Sequence, residues 1–210
     1  MSVKQYLVAY NSLSAFLWLC VLGRLIILFP LVGSKFVAGG LADFTKYVQT
    51  LAVLEVVHSV LGLVKSPIVT TVIQISSRLL LVWGVVDLFP EVAQNVAFST
   101  MVLAWSVTEV VRYSYYAYNL LRDKLVPKGL VWLRYNAFYV LYPLGAGSEA
   151  ILAFLSLDRA QELSAYYALF LKVVLLIYPP GFYVMYTHMI KQRRRVFKNI
   201  GKRPDVKKTQ

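Results

Sequence analysis

Apolar residues run along this 210-residue chain in blocks about twenty residues long, separated by short polar stretches. A helix rises 1.5 Å per residue, so roughly 20 mainly apolar residues cross about 30 Å of hydrocarbon. Six blocks reach that length, at residues 7–28, 44–63, 67–89, 92–119, 131–155 and 164–190. Within them Leu, Val and Ile follow one another without strict alternation. Backbone N–H and C=O groups in hydrocarbon must be satisfied inside their own segment, so helices are expected rather than barrel strands. The pattern predicts an all-α, polytopic membrane bundle of six transmembrane helices, with residues 1–190 as the spanning domain and 191–210 as a basic tail.

Composition sharpens this picture. Hydrophobic residues make up 59% of the chain and charged residues only 15%, which sets it apart from an ordinary soluble domain. The formal net charge is +12, but nine of the 22 Lys and Arg residues follow Ile190. So confined a basic segment argues against nucleic acid and for a flank drawn to anionic lipid headgroups. Counting basic residues near span ends puts Lys4, Lys65, Arg122, Lys124, Lys128 and the tail on one face, against Lys35, Lys46 and Arg159 on the other. That bias predicts both termini in the cytosol. The N-terminal stretch has no separate basic region and cleavage site and reads as a retained first span. Cys20 is the sole cysteine, so an intramolecular disulfide or a paired zinc site is excluded.

Ionisable groups are expensive inside a bilayer and need a partner or a task. The blocks hold Arg24, Glu55, His58, Arg78, Glu109, Arg112, Arg134, Glu149 and Lys172, with Gln74 adding an amide. Helical spacing brings together Glu55 and His58, Gln74 and Arg78, and Glu109 and Arg112. Such pairs suit helix-to-helix glue in a scaffold or transporter as well as the surroundings of an active site. The fifth block differs, because Glu149 has no basic residue within one turn. A carboxylic acid in apolar surroundings is a candidate proton carrier. Tyr142 stands seven residues earlier, within about 20° of the same helix face and roughly 10 Å along the axis. Gly145 lies between them and removes bulk, while Pro143 softens the helix. Two arrangements fit this spacing: a slot flanked by two proton-transfer groups, or close helix packing with Tyr142 hydrogen-bonded to Glu149.

Six motifs follow in order: YLxxYNxxSAxLW from Tyr6, LExxHSxLGxVxS from Leu54, QxxSRxxxVWG from Gln74, WSxxExxRYxxYxxN from Trp105, LRYxxFxxLYPxGxxSE from Leu133 and YPPGFYxMYxHM from Tyr178. Together they resemble the very-long-chain 3-hydroxyacyl-CoA dehydratases of the endoplasmic reticulum, also described as protein tyrosine phosphatase-like proteins. The resemblance implies removal of water from a (3R)-3-hydroxyacyl-CoA to give the trans-2-enoyl-CoA, the third step of fatty acid elongation. It implies Tyr142 and Glu149 as the catalytic pair, with Glu55, Gln74, Arg78, Glu109, Arg112, Arg134 and Gly145 supporting the site. It also implies a condensing enzyme and ketoacyl and enoyl reductases as partners, beside the long or very-long-chain substrate and membrane lipid. The phosphatase label fails on the residues, since a Cys-x5-Arg loop starting at Cys20 would need arginine where Ile26 stands.

Lys207 and Lys208 occupy the third and fourth positions from the end, the dilysine pattern that returns a multi-pass protein to the endoplasmic reticulum membrane. No metal cluster or dinucleotide loop is legible, so no cofactor is expected beyond the CoA of the substrate. Its phosphates are expected at Arg122, Lys124 or Lys128. Either member of the Tyr142–Glu149 pair can be written as acid or base.

Overall fold

The computed structural model describes residues 2–121 and 126–200, so Arg122, Lys124, Lys207 and Lys208 lie outside the described residues. Helix α1 (Val3–Thr50) starts with a capping box. The Ser2 hydroxyl accepts from the Gln5 N–H, and the Gln5 side chain accepts from the Ser2 N–H at 2.9 Å. Gly33 interrupts α1 at φ 71°, ψ 176°, a backbone region essentially reserved for glycine. The chain reverses there into two antiparallel legs. Arg24 reaches the Gly40 carbonyl at 3.5 Å, the Tyr10 hydroxyl donates to the Leu51 carbonyl at 3.4 Å, and Tyr6 meets His58. A Cβ on Gly40 would fall 2.9 Å from Leu28, so the missing side chain lets the legs touch.

Helix α2 (Val53–Val60) continues the second leg and ends at Gly62, φ 67°. The Leu63 N–H donates to the His58 carbonyl at 2.9 Å and the Gly62 N–H to the Ser59 carbonyl at 3.2 Å, which together make a Schellman cap. Helix α3 (Ile68–Leu79) follows Pro67 and widens into π-helix over Leu80–Val86. At Gly84 the backbone meets another helix, since the carbonyl accepts from the Tyr167 hydroxyl at 2.6 Å. A Cβ at Gly84 would lie 2.7 Å from that oxygen. A 3-10 turn (Pro90–Gln94) leads to α4 (Val96–Leu121), where the Asn95 side chain caps the Ala97 N–H at 2.9 Å.

The fifth predicted block is two helices, α5 (Lys128–Asn136) and α6 (Phe138–Leu155), separated at Ala137. Asn136 has polar business on both sides of this joint. Its amide N–H donates to the Trp132 carbonyl and its oxygen accepts from Arg193 Nε, each at 2.8 Å. After the short α7 (Leu157–Leu163), α8 (Ala165–Ile200) carries Pro179 and Pro180 and extends as helix into the segment predicted as tail.

Helix α4 is the centre of the bundle. Its Phe98, Met101, Val102 and Trp105 pack with Trp18, Val21, Leu25, Val37 and Leu41 of α1, and Leu152 of α6 and Ala168 and Leu171 of α8 join the same core. The outer faces are apolar as well: Val140 is 70% exposed and Leu176 76%. In a soluble protein so much exposed aliphatic surface would aggregate, whereas against lipid it is the solvated face. Among the described residues, four helical stretches are long and apolar enough to cross a membrane: Val3–Val60, which includes the Gly33 reversal, Ile68–Val86, Phe138–Leu155 and Ala165–Lys198. Helix α4 is outside that set. It carries Glu109 and Arg112 and turns them inward.

Candidate active site

Trp105, Glu109, Arg112 and Tyr116 follow one another at helical spacings of four, three and four, within about 60° of arc on one face of α4. The polar groups of the bundle assemble along that face. Glu109 is 1% exposed and accepts from Arg112 Nε at 2.6 Å, as its helical spacing predicts. The other two predicted pairs do not form. Glu55 turns from His58 to Arg112, which reaches it through both terminal nitrogens at 2.7 and 2.8 Å, and the Tyr113 hydroxyl also donates to Glu55. His58 Nε2 lies 2.8 Å from the Tyr6 hydroxyl instead. Gln74 is exposed on α3, and Arg78, one turn on, pairs with Glu109.

The physical reason is geometric. Neighbouring helices offer these groups opposite charges, and in the case of Glu55 a two-pronged guanidinium. A buried charge is better compensated that way than by a weak partner on its own helix. The result is a continuous chain of ion pairs, Glu55–Arg112–Glu109–Arg78, linking α2, α4 and α3.

Arg78 carries the chain to the residues singled out in the fifth block. Its guanidinium lies 4.8 Å from the centre of the Trp105 ring. The Trp105 indole N–H donates to Glu149 Oε1 at 2.8 Å, and the Tyr178 hydroxyl donates to Oε2 at 3.0 Å. Glu149, without a basic neighbour in sequence, thus receives α4 on one oxygen and α8 on the other. Tyr142 faces α8 too, stacking on Phe182 with centroids 5.1 Å apart and on Tyr186 at 6.2 Å. Gly145 is buried between them, and a Cβ there would sit 3.5 Å from Ala104, 3.8 Å from Trp105 and 3.9 Å from Glu149. It lets α6 lie against α4 where the carboxylate is held. The seam between α6 and α8 therefore presents a carboxylate and, about 10 Å along the axis, a phenol on one face.

Arg134 of α5 lies at the far end of the α4 stripe, with its guanidinium over the Tyr116 and Tyr135 rings, each centroid 5.8 Å away. Lys128 is exposed in the first turn of α5. Lys172 borders a shallow recess shared with Asp158 and Gln161, and Arg24 lies 4.8 Å over the Phe44 ring; neither joins the ion-pair chain. Trp105 and Tyr178 hold Glu149, a role that the sequence marks weakly or not at all. The spacing from Trp105 to Glu109 and Arg112 was the available signal for the first. Nothing local points to the second.

A family profile described as "Protein tyrosine phosphatase-like protein, PTPLA" matches residues 49–199. The chain is 45% identical over 201 residues to a Schizosaccharomyces pombe protein named "Probable very-long-chain (3R)-3-hydroxyacyl-CoA dehydratase", covering 95% of this chain and 96% of that one. A Caenorhabditis elegans very-long-chain (3R)-3-hydroxyacyl-CoA dehydratase is 36% identical over 220 residues, with 93% and 96% covered. The human very-long-chain (3R)-3-hydroxyacyl-CoA dehydratase 2 is 33% identical over 205 residues, with 91% and 80% covered. No solved structure matches.

Proposed function

The chain belongs to the protein tyrosine phosphatase-like family, PTPLA, and from that membership we propose that it is a hydro-lyase acting on very-long-chain (3R)-3-hydroxyacyl-CoA. The supporting observation within the fold is the Glu149 carboxylate, oriented by Trp105 and Tyr178 on the seam that also carries Tyr142. Dehydration removes a proton from the carbon beside the thioester and expels hydroxide from the next carbon, so it needs a base and an acid on one substrate. Both oxygens of Glu149 receive donors, the hydrogen-bonding pattern of an ionised carboxylate, and this supports Glu149 as the base. Tyr142 then gives its proton to the departing hydroxyl. The products are water and trans-2-enoyl-CoA, and a proton passing from Glu149 to Tyr142 restores the pair. The acyl tail lies among apolar helix faces, where each buried methylene contributes about 0.8 kcal/mol.

The experiment is incubation of the purified chain with 3-hydroxyacyl-CoAs of graded length, following enoyl-CoA formation. Tyr142→Phe and Glu149→Gln should each abolish product while the bundle stays folded. Wild-type turnover in both variants would remove the catalytic assignment.

The same reading places the reaction at the third step of fatty acid elongation, in the endoplasmic reticulum membrane, beside a condensing enzyme and two reductases. For the topology we propose six crossings: the two legs either side of Gly33, the α3–π segment, α4, α5 with α6, and α8, with both termini cytosolic. A cysteine at Lys35 in a Cys20→Ser background should react with an impermeant reagent only after the membrane is opened. Labelling of sealed microsomes at that position would reverse the orientation.

A further inference from the structure

Three arginines lie along the inward face of α4, and their partners differ. Arg78 pairs with Glu109, and Arg112 with Glu109 and Glu55. No carboxylate among the described residues pairs with Arg134. Its polar contact is the Tyr116 hydroxyl at 3.5 Å, and its Nε is buried without a hydrogen-bond partner. The half-buried guanidinium thus faces two tyrosine rings and has an inner donor that no protein group uses. Its planar fork of N–H groups fits the oxygens of a phosphate.

The position of Arg134 specifies which phosphate. Tyr116, on which it lies, is 11 residues beyond Trp105, or about 16 Å along α4. Trp105 holds the Glu149 carboxylate. Arg134 and Glu149 therefore mark two ends of one stripe. Arg193, bonded to Asn136 on the α8 side of α5, adds a second positive group at the outer end. An acyl-CoA has the same two-ended design: a reacting thioester separated by an extended pantetheine arm from its phosphates. We infer that Arg134, rather than the exposed Lys128, is the phosphate-binding residue of the acyl-CoA site. The inference rests on the dehydratase reading and deepens it.

A lipid headgroup offers the same phosphate chemistry, so the test must tell the sources apart. In phospholipid-free detergent, a 3-hydroxyacyl-CoA is compared with the same acyl group on pantetheine, which carries no phosphate, using wild type, Arg134→Gln and Arg134→Lys. Arg134→Gln should raise KM for the CoA thioester about tenfold or more and collapse the preference over the pantetheine thioester, because a charge-assisted hydrogen bond is lost. Arg134→Lys should recover part of the preference by keeping the charge. Equal loss on both thioesters, as a structural or lipid-binding arginine would give, overturns the inference, and so does an unchanged KM for the CoA thioester. If the wild type dehydrates neither substrate, the dehydratase reading fails. Direct binding of free coenzyme A, weaker in Arg134→Gln or not, then decides the role of the arginine.

Discussion

Glu149 has its two oxygens held from two different helices, and neither donor is itself charged. The arrangement aims a carboxylate without neutralising it, as the proposed base requires and an ordinary buried ion pair would prevent. On that proposal Tyr178 is a positioning residue, and Tyr178→Phe removes one donor with little change in shape. Loss of a hydrogen bond to a charged group should lower kcat about tenfold or more while leaving KM near the wild-type value. A parallel rise in KM, or a fall in thermal stability large enough to explain the loss, would make Tyr178 merely structural. Residue-scale legibility was uneven for a physical reason. Tyr142, Gly145 and Glu149 share one helix face, so periodicity alone isolates them. Tyr178 reaches Glu149 from 29 residues away, and a tyrosine before two prolines in an apolar run carries no local signal of an acidic partner.

At the scale of elements, the breaks matter as much as the helices. Apolar blocks mark where helix forms but not where it breaks: the first two blocks share α1, which turns at Gly33, and the fifth is two helices, while an i,i+3 or i,i+4 rule sees one helix at a time. It therefore finds Glu109–Arg112 and misassigns Glu55 and Arg78, whose partners come from neighbours. The π-helix at Leu80–Val86 and the joint at Ala137 likewise each meet α8, through Tyr167 and Arg193. Gly33 is the break with the sharpest consequence. No other residue adopts its φ and ψ without strain, so Gly33→Ala should destabilise the bundle by about 1–3 kcal/mol, measured by denaturation in detergent. The neighbouring Gly39→Ala, with open space at its Cβ, is the control. Equal stability of the two variants would mean that the reversal does not depend on glycine.

Across the whole molecule, one network of charges ties helices together. The ion-pair chain from Glu55 to Arg78 joins three elements around α4, and every member is paired. Glu109→Gln leaves two arginines sharing a weaker partner, and removing one member of such a buried set typically costs about 3–5 kcal/mol. Unfolding of purified Glu109→Gln should show this as a large fall in stability even where substrate is absent. A variant as stable as wild type would show the network to be dispensable for folding.

The seam that carries Tyr142 is walled on one side by α8, whose Leu176, Ile177 and Val184 face outward. On the proposed reading, a hydrocarbon chain that leaves the seam past these side chains enters fluid acyl chains, and once its tail clears the aromatic stack each added pair of carbons should change the rate of enoyl-CoA formation very little.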